Sequence, residues 1–219
     1  MESEPTWDGA IDRDAYNDAH VRDRDDLTGA SRKGNWQVVL RLLRDADKNL
    51  SANHWRLGGR SWFTPLHQAA WHGAPAEVVA ELVDLGASRV LTTAAGHRAA
   101  DIAREKGHRQ LVAILEPVVR NPTPPDVLDA LDGHLSALVE SRIRPHLTVR
   151  LRPLPAVVLT EREPGSVVWF PIPGMVGGFA VRLETGYLDV KSWSRVVGGS
   201  GQAHVLTPEG SILVAEGFV

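Results

Sequence analysis

The chain has 219 residues, 43% of them hydrophobic and 23% charged, with no cysteine and a formal net charge of −3. That length supports one or two domains with a real core, and the balance is ordinary for a globular protein. Disulfides and thiolate zinc sites are excluded, no apolar run approaches the ~18 residues of a membrane helix, and no basic stripe with interleaved aromatics marks a nucleic-acid surface. Met1 is followed by acidic and polar residues rather than by the apolar core of a secretory signal, so the expectation is a cytoplasmic protein.

The charge is uneven. Residues 1–26 hold nine acids against three arginines, so this segment carries −6 and the remainder +3. Residues 1–23 read as an acidic leader, solvated or forming an N-terminal cap; a docking tail for a basic surface is the other reading. Helical patterns follow. Asn35–Leu43, Glu77–Val83 and Gln110–Leu115 each place apolar residues at three- and four-residue spacing. Asn121-Pro-Thr-Pro-Pro125 then forms a hinge at 121–125, because three prolines in five residues favour an extended connector. One more amphipathic helix is expected at about 126–142, lined on one face by Val127, Leu128, Leu131, Leu135, Leu138 and Val139.

Beyond Pro145 the period changes to two. Leu147, Val149 and Leu151 alternate with polar residues, as do Phe179, Val181 and Leu183, and then Leu188 and Val190. These are patterns of half-buried strands, and Thr185-Gly186 between two of them suits a tight hairpin. Residues 126–219 are therefore expected to be a helix followed by a mainly β unit of four to six strands. The prolines and glycines of 171–178 are expected to force an irregular loop.

An internal repeat organises the first half. Lys33-Gly34-Asn35, His72-Gly73 and Lys106-Gly107-His108 align, each followed by an apolar pair, with glycine spacings of 39 and 34 residues. Around the middle one, Thr64-Pro65-Leu66-His67-Gln68-Ala69 matches the T-P-L-H-x-A signature of a repeat about 33 residues long, and Ala70, Gly73, Glu77-Val78-Val79 and Asp84-Leu85-Gly86-Ala87 extend the match. The sequence thus resembles the ankyrin repeat family over residues 24–118, most specifically over 59–91. The resemblance implies about three repeats at 24–120, the outer two degenerate because end units face water on one side. In the third, Asp101 stands where His67 stands in the second. The wider first spacing implies about six extra residues within 47–59. The fold expectation is α+β: an N-terminal ankyrin-repeat α-solenoid, then a helix and a small mainly β domain.

The scaffold letters have local reasons. Thr64 can cap a helix, Pro65 needs no amide partner in the first turn, alanines allow close helix packing, and Gly73 supplies a left-handed terminus. In the family, His67 ties its loop to the neighbouring repeat, and a structural role is expected of it here. In designed ankyrin binders, which resemble this repeat, variable positions lie on the hairpin before T-P and on the two residues before the glycine. Carried over by motif, these are Arg60, Ser61 and Phe63, then Trp71 and His72. Trp62 stands where the family prefers glycine. With Trp55, Trp62, Phe63, Trp71 and His72, aromatic residues gather as at binding hot spots; the other reading is that some of these rings cover the interface with the C-terminal half. Glu105-Lys106 and Arg32-Lys33 at the matching positions would frame the groove. The expected partner-binding residues are Trp55, Arg60, Ser61, Trp62, Phe63, Trp71, His72, Glu105 and Lys106.

For catalysis the sequence offers little. There is no G-x-S-x-G, no H-E-x-x-H and no phosphate-loop pattern, so no metal and no cofactor are expected. Gly198-Gly199-Ser200-Gly201 could present backbone amides to an anion but reads first as a turn. Tyr187, Asp189, Lys191 and Trp193 share one strand face. His204 beside the glycine-rich stretch, with Arg195 and Asp189, is the only constellation with catalytic potential. The main functional expectation is a non-catalytic protein–protein interaction module with an aromatic concave surface, a scaffold or binding module. A cofactor-free enzyme or small-molecule-binding protein with a pocket between the halves is the alternative. An antitoxin or immunity-type inhibitor using the acidic leader is a third. Abundant Arg, Ala, Val and Gly beside scarce Lys point to a GC-rich, bacterial coding sequence.

Overall fold

A computed structural model describes residues 5–144, 147–195 and 201–217. The chain divides into two compact units, one of Tyr16–Val118 and one of Met1–Ala15 together with Val119–Val219. Among the described residues there are eight α-helices and a five-stranded antiparallel sheet, an α+β architecture.

The helical unit contains α1 (Asp18–Arg32), α2 (Trp36–Arg44), α3 (Pro65–His72), α4 (Ala76–Asp84), α5 (Ala99–Glu105) and α6 (Arg109–Leu115). Each odd helix packs on the next even one across a three-residue turn. Helix α3 also touches α1 and α5, and α4 touches α2 and α6, giving two helix layers. Their core is Leu27, Val39, Leu66, Ala69, Ala70, Val79, Leu82, Ala100, Ile102, Leu111 and Leu115. The alanines let α3 and α5 approach closely, while the larger side chains fill the space toward the second layer.

The turns follow from their residues. Asn17 Oδ1 accepts from the His20 N–H and caps α1; Asn35 does the same for α2 through Val38. Gly73 ends α3 with φ +62°, and a Cβ there would come within 2.5 Å of the His108 ring. Only glycine meets both demands. His67 is buried: its Nδ1 accepts from the Thr64 N–H at 3.2 Å, so Nε2 carries the proton toward the Leu91 carbonyl at 3.1 Å. Asp101 does the equivalent work in α5, where its carboxylate accepts from the Arg98 N–H at 3.0 Å.

The other unit is built from α7 (Pro125–Ile143), α8 (Ala156–Leu159) and strands β1 (Val167–Ile172), β2 (Gly177–Glu184), β3 (Tyr187–Ser194), β4 (Gly201–Thr207) and β5 (Gly210–Gly217), paired in chain order. Leu128, Leu131, Leu135, Leu138, Val139 and Ile143 of α7 are buried, as are Val168, Phe170, Phe179, Val181, Leu188, Val190 and Leu206 on one face of the sheet. Helix α7 packs on β4 and β5. The β2–β3 hairpin turns at Thr185-Gly186, with Glu184 opposite Tyr187. Strand β5 leaves Ile212, Leu213 and Val214 about half exposed.

Four expectations need correction. Residues 147–151 do not form a strand of the sheet, because among the described residues their only ladder contact is an isolated bridge between Ala10 and Leu151. The irregular loop expected at 171–178 shrinks to four residues, since β1 runs through Ile172 and β2 begins at Gly177. The largest change concerns the acidic leader. Residues 5–7 lie along β1, where the Trp169 N–H donates to Pro5 O at 2.9 Å and the Trp7 N–H donates to Trp169 O at 2.7 Å. Trp7 is 3% exposed, and its Nε1–H donates to Arg152 O at 3.0 Å. Gly9 and Ile11 then pair with Arg152 and Arg150, and Asp12 is bridged by the Arg150 guanidinium. An apolar anchor at Trp7 and backbone pairing thus override the solvated character that the surrounding acids imply. Pro125 is not connector but the first residue of α7, a position that needs no amide donor. Asn121 is held on this unit through its N–H to Thr160 O and its Nδ2 to Leu183 O.

Candidate functional site

Most of the expected partner-binding residues lie at one edge of the helical unit, where the turn before α3 and the ends of α3 and α5 come together. Trp71, near the end of α3, is 45% exposed. Its ring meets Phe63 edge-on at 6.1 Å between centroids, and Lys106 Nζ sits 3.6 Å from its centre. Glu105 Oε1 is 3.7 Å from the same ammonium. Phe63 also reaches His67 at 5.8 Å and packs against the core, so it links the exposed ring to the buried frame. The cation–ring contact is worth about 0.5–1 kcal/mol at such an exposed position.

His72 turns the other way. Its Nε2 lies 3.0 Å from the Arg32 carbonyl at the end of α1, and its ring meets Trp36 at 6.1 Å. The histidine therefore ties α3 to α1 while remaining exposed. Trp36, the first residue of α2, joins the aromatic edge by this contact.

Arg60, Ser61, Trp62 and Phe63 wall a cavity of about 250 Å³, completed by Arg32, Arg56 and Gln68 among others. Trp62 has φ +55°, a left-handed backbone conformation. The turn that the family builds with glycine is kept with tryptophan in its place, at a cost of roughly 1–2 kcal/mol. Arg56 and Gln68 went unnoticed in the sequence; a signal existed, since Arg56 falls within the extra residues of the longer first spacing.

Trp55 is a correction. It is 1% exposed, so it is a core residue rather than a partner contact. Arg24 Nη2 donates to its carbonyl at 3.0 Å, and the same guanidinium lies 5.8 Å over its ring and 5.5 Å over Tyr16. A buried guanidinium needs such partners. The stripe Arg24, Leu27, Ser31 on α1 carries the i, i+3, i+7 spacing that would have revealed the inward face.

The catalytic constellation is not assembled. His204 pairs in register with Val190 and lies on the buried face of the sheet, whereas Asp189, the preceding neighbour of Val190, points to the opposite face and is ion-paired with Arg182. Burial, with Arg142 nearby, pushes the His204 pKa down, so it favours the neutral ring. Arg195 follows β3 and is exposed. Of the stretch Gly198-Gly199-Ser200-Gly201, all but Gly201 lie outside the described residues. Tyr187, Asp189, Lys191 and Trp193 do share the open face of β3, where Trp193 stacks on Trp169 at 4.3 Å. Gly178 makes that stack possible, because a Cβ there would come within 2.9 Å of the Trp169 ring. Among the described residues no group of three or more His, Asp and Glu side chains is placed to hold a metal ion, and no helix is long and apolar enough to cross a membrane.

No curated protein matches the chain. The ankyrin repeat family model matches residues 61–94, from the turn at Trp62 through α3 and α4 to the loop that receives the His67 hydrogen bond, and this segment is an ankyrin repeat.

Proposed function

We propose that the protein is a non-catalytic interaction module whose helical unit is a short ankyrin stack of three helix pairs, α1/α2, α3/α4 and α5/α6. The outer pairs have lost the T-P-L-H letters but keep the left-handed glycine turn, with φ +69° at Gly34 and +80° at Gly107. The partner is a protein, gripped by Trp62, Phe63, Trp71 and His72 with Glu105 and Lys106 at the margin.

One observation carries this reading. Trp71 is a large ring held half in water by Phe63 on one side and Lys106 on the other. A tryptophan in the core would not need a charged neighbour, and one left loose on the surface would lose more entropy on binding. A positioned, accessible aromatic is the arrangement found at interface hot spots.

The test is capture of the native partner by the immobilised protein. Trp71→Ala and Phe63→Ala each lower capture at least tenfold, the equivalent of a hot-spot loss of about 1.4 kcal/mol or more. For Trp71→Ala the thermal midpoint moves little, since the lost cation–ring contact is worth at most ~1 kcal/mol. Full capture by both variants would remove this site assignment.

A further inference from the structure

Resting on the reading of this edge as a protein-binding surface, we infer that the cavity at the Trp62 turn is a receptor for an acidic polypeptide segment, with paired carboxylates held by Arg32, Arg56 and Arg60. The first observation is charge. These three arginines line one cavity of about 250 Å³ whose wall includes no Asp or Glu. None of the three guanidinium groups has an ion-pair or hydrogen-bond partner among the described residues, whereas Arg44, Arg98, Arg104, Arg120, Arg144, Arg150 and Arg182 are each bridged to a carboxylate. In a chain of net charge −3, whose 27 Asp and Glu outnumber its 24 Lys and Arg, three uncompensated arginines lining one cavity form a local inversion.

The second observation is where they come from. Arg32 closes the last turn of α1, where the helix dipole by itself favours a cation. Arg56 and Arg60 have no such local reason. They belong to the longer segment between the first two helix pairs, and that segment bends back on itself where Gly59 N–H donates to Arg56 O at 2.9 Å. Gly59 allows this approach, because a Cβ there would meet the same carbonyl at 2.9 Å. The extra chain therefore delivers two cations to a wall that α1 supplies with a third.

The third observation is size and lining. Small-molecule and cofactor sites occupy roughly 300–1,000 Å³. A cavity below that range suits one or two side chains rather than a whole cofactor. Trp62 and Phe63 give it an apolar side, and Trp62 is held in a left-handed conformation that the turn would adopt more easily with glycine. Local strain of this kind is retained where the surrounding surface has a task. Guanidinium forks match carboxylates in bidentate geometry, and the rings cover the aliphatic stem beside them.

Fluorescence anisotropy with a fluorescein-labelled hexaglutamate peptide tests this, beside its hexaglutamine counterpart and with inorganic phosphate as competitor. Hexaglutamate is expected to bind saturably and at least tenfold tighter than hexaglutamine, with affinity falling as NaCl rises. The double variant Arg56→Gln/Arg60→Gln lowers that affinity at least tenfold while the thermal midpoint stays within about 2 °C, these side chains being exposed and unbridged. Equal binding of the two peptides, unchanged affinity in the variant, or displacement by phosphate at lower concentration than by unlabelled hexaglutamate would each overturn the proposal. Capture of the native partner separates the two readings. Loss in Trp71→Ala with full retention in Arg56→Gln/Arg60→Gln leaves the aromatic edge standing and sinks the acidic receptor; retention in both variants sinks both.

Discussion

In the helical unit the contacts that fix each piece are close in sequence: His67 reaches Leu91 across 24 residues, and Arg24 reaches Trp55 across 31. In the sheet unit the first β-strand is completed by the opposite end of the chain, and Trp7 donates to Arg152 across 145 residues. Loop closure costs about 0.6 kcal/mol for each doubling of length, so the Trp7 contact carries about 1.5 kcal/mol more entropic cost than the His67 contact. A segment held against that cost needs a concentrated anchor. Trp7 is that anchor, while in the helical unit the work is spread over repeated alanines, leucines and turn glycines. The difference teaches why one half can be read from spacing and the other cannot.

The sharpest way to break this comparison is Trp7→Ala. Removing a fully buried tryptophan costs about 3–5 kcal/mol, read as a lowered urea midpoint for the sheet unit. If residues 5–12 were a solvated leader, the midpoint would not move, because exposed substitutions stay within about 0.5 kcal/mol. The corresponding blow in the helical unit is His67→Ala. It strands the Leu91 carbonyl and the Thr64 amide in a buried turn at about 1–3 kcal/mol in all, with the loss read from the helical signal in circular dichroism. A loss under ~0.5 kcal/mol would show that the histidine is a passenger.

A pH dependence sharpens the comparison further, because the sheet unit holds a carboxyl whose pKa burial raises, whereas in the helical unit, against burial, the Arg98 and Arg104 guanidiniums hold the Asp101 carboxyl below its usual range. Burial raises the Asp132 pKa to about 6, against the hydrogen bond that the Ala156 N–H donates to its carboxylate at 2.6 Å and with a small push from Asp129. The folded value lies above the unfolded one, so between pH 4 and 6 the folded chain holds the proton that the unfolded chain has released. Stability from this group is therefore full below about pH 4 and is lost as pH rises to 6, by about 1–3 kcal/mol. Asp132→Asn keeps an acceptor for Ala156, flattens that slope and raises the urea midpoint at pH 7; an unchanged slope would show that Asp132 titrates as a free carboxylate. The smallest effect is a gain. Trp62→Gly relieves the left-handed strain and stabilises the helical unit by about 1 kcal/mol, visible as a raised thermal midpoint. A lowered midpoint would mean that the indole contributes more to the fold than its backbone costs.

Legibility differed by element for physical reasons. The T-P-L-H-x-A stretch and the three aligned glycines pointed to helix pairs because caps and left-handed turns are decided within four or five residues. Strands β2 and β3 were visible through alternation and their two-residue turn. The segment 147–151 alternated too, yet alternation cannot tell whether a partner strand exists, and here only Ala10 pairs with Leu151. Of the expected contact residues, Trp71, Phe63, Trp62 and Lys106 lie at the edge because their positions are set by the repeat. Trp55 does not, because its place depends on a tertiary contact with Arg24, 31 residues away on the inward face of α1. Asp189 and His204 fall on opposite faces, because in the β3–β4 register His204 stands opposite Val190 and Asp189 opposite Val205.

What the sequence determined by itself is the middle helix pair with its capped entry, its left-handed exit and the outward tryptophan between them, since every constraint there acts over a turn or two. Tertiary structure alone decided that an acid-rich beginning would be drafted onto the sheet, that Trp55 would be buried against a guanidinium, and that three unbridged arginines would meet at one hollow. Those outcomes depend on which distant surface a side chain encounters once the chain has closed, and hydrophobic burial and ion pairing there outweigh the preferences of the local letters.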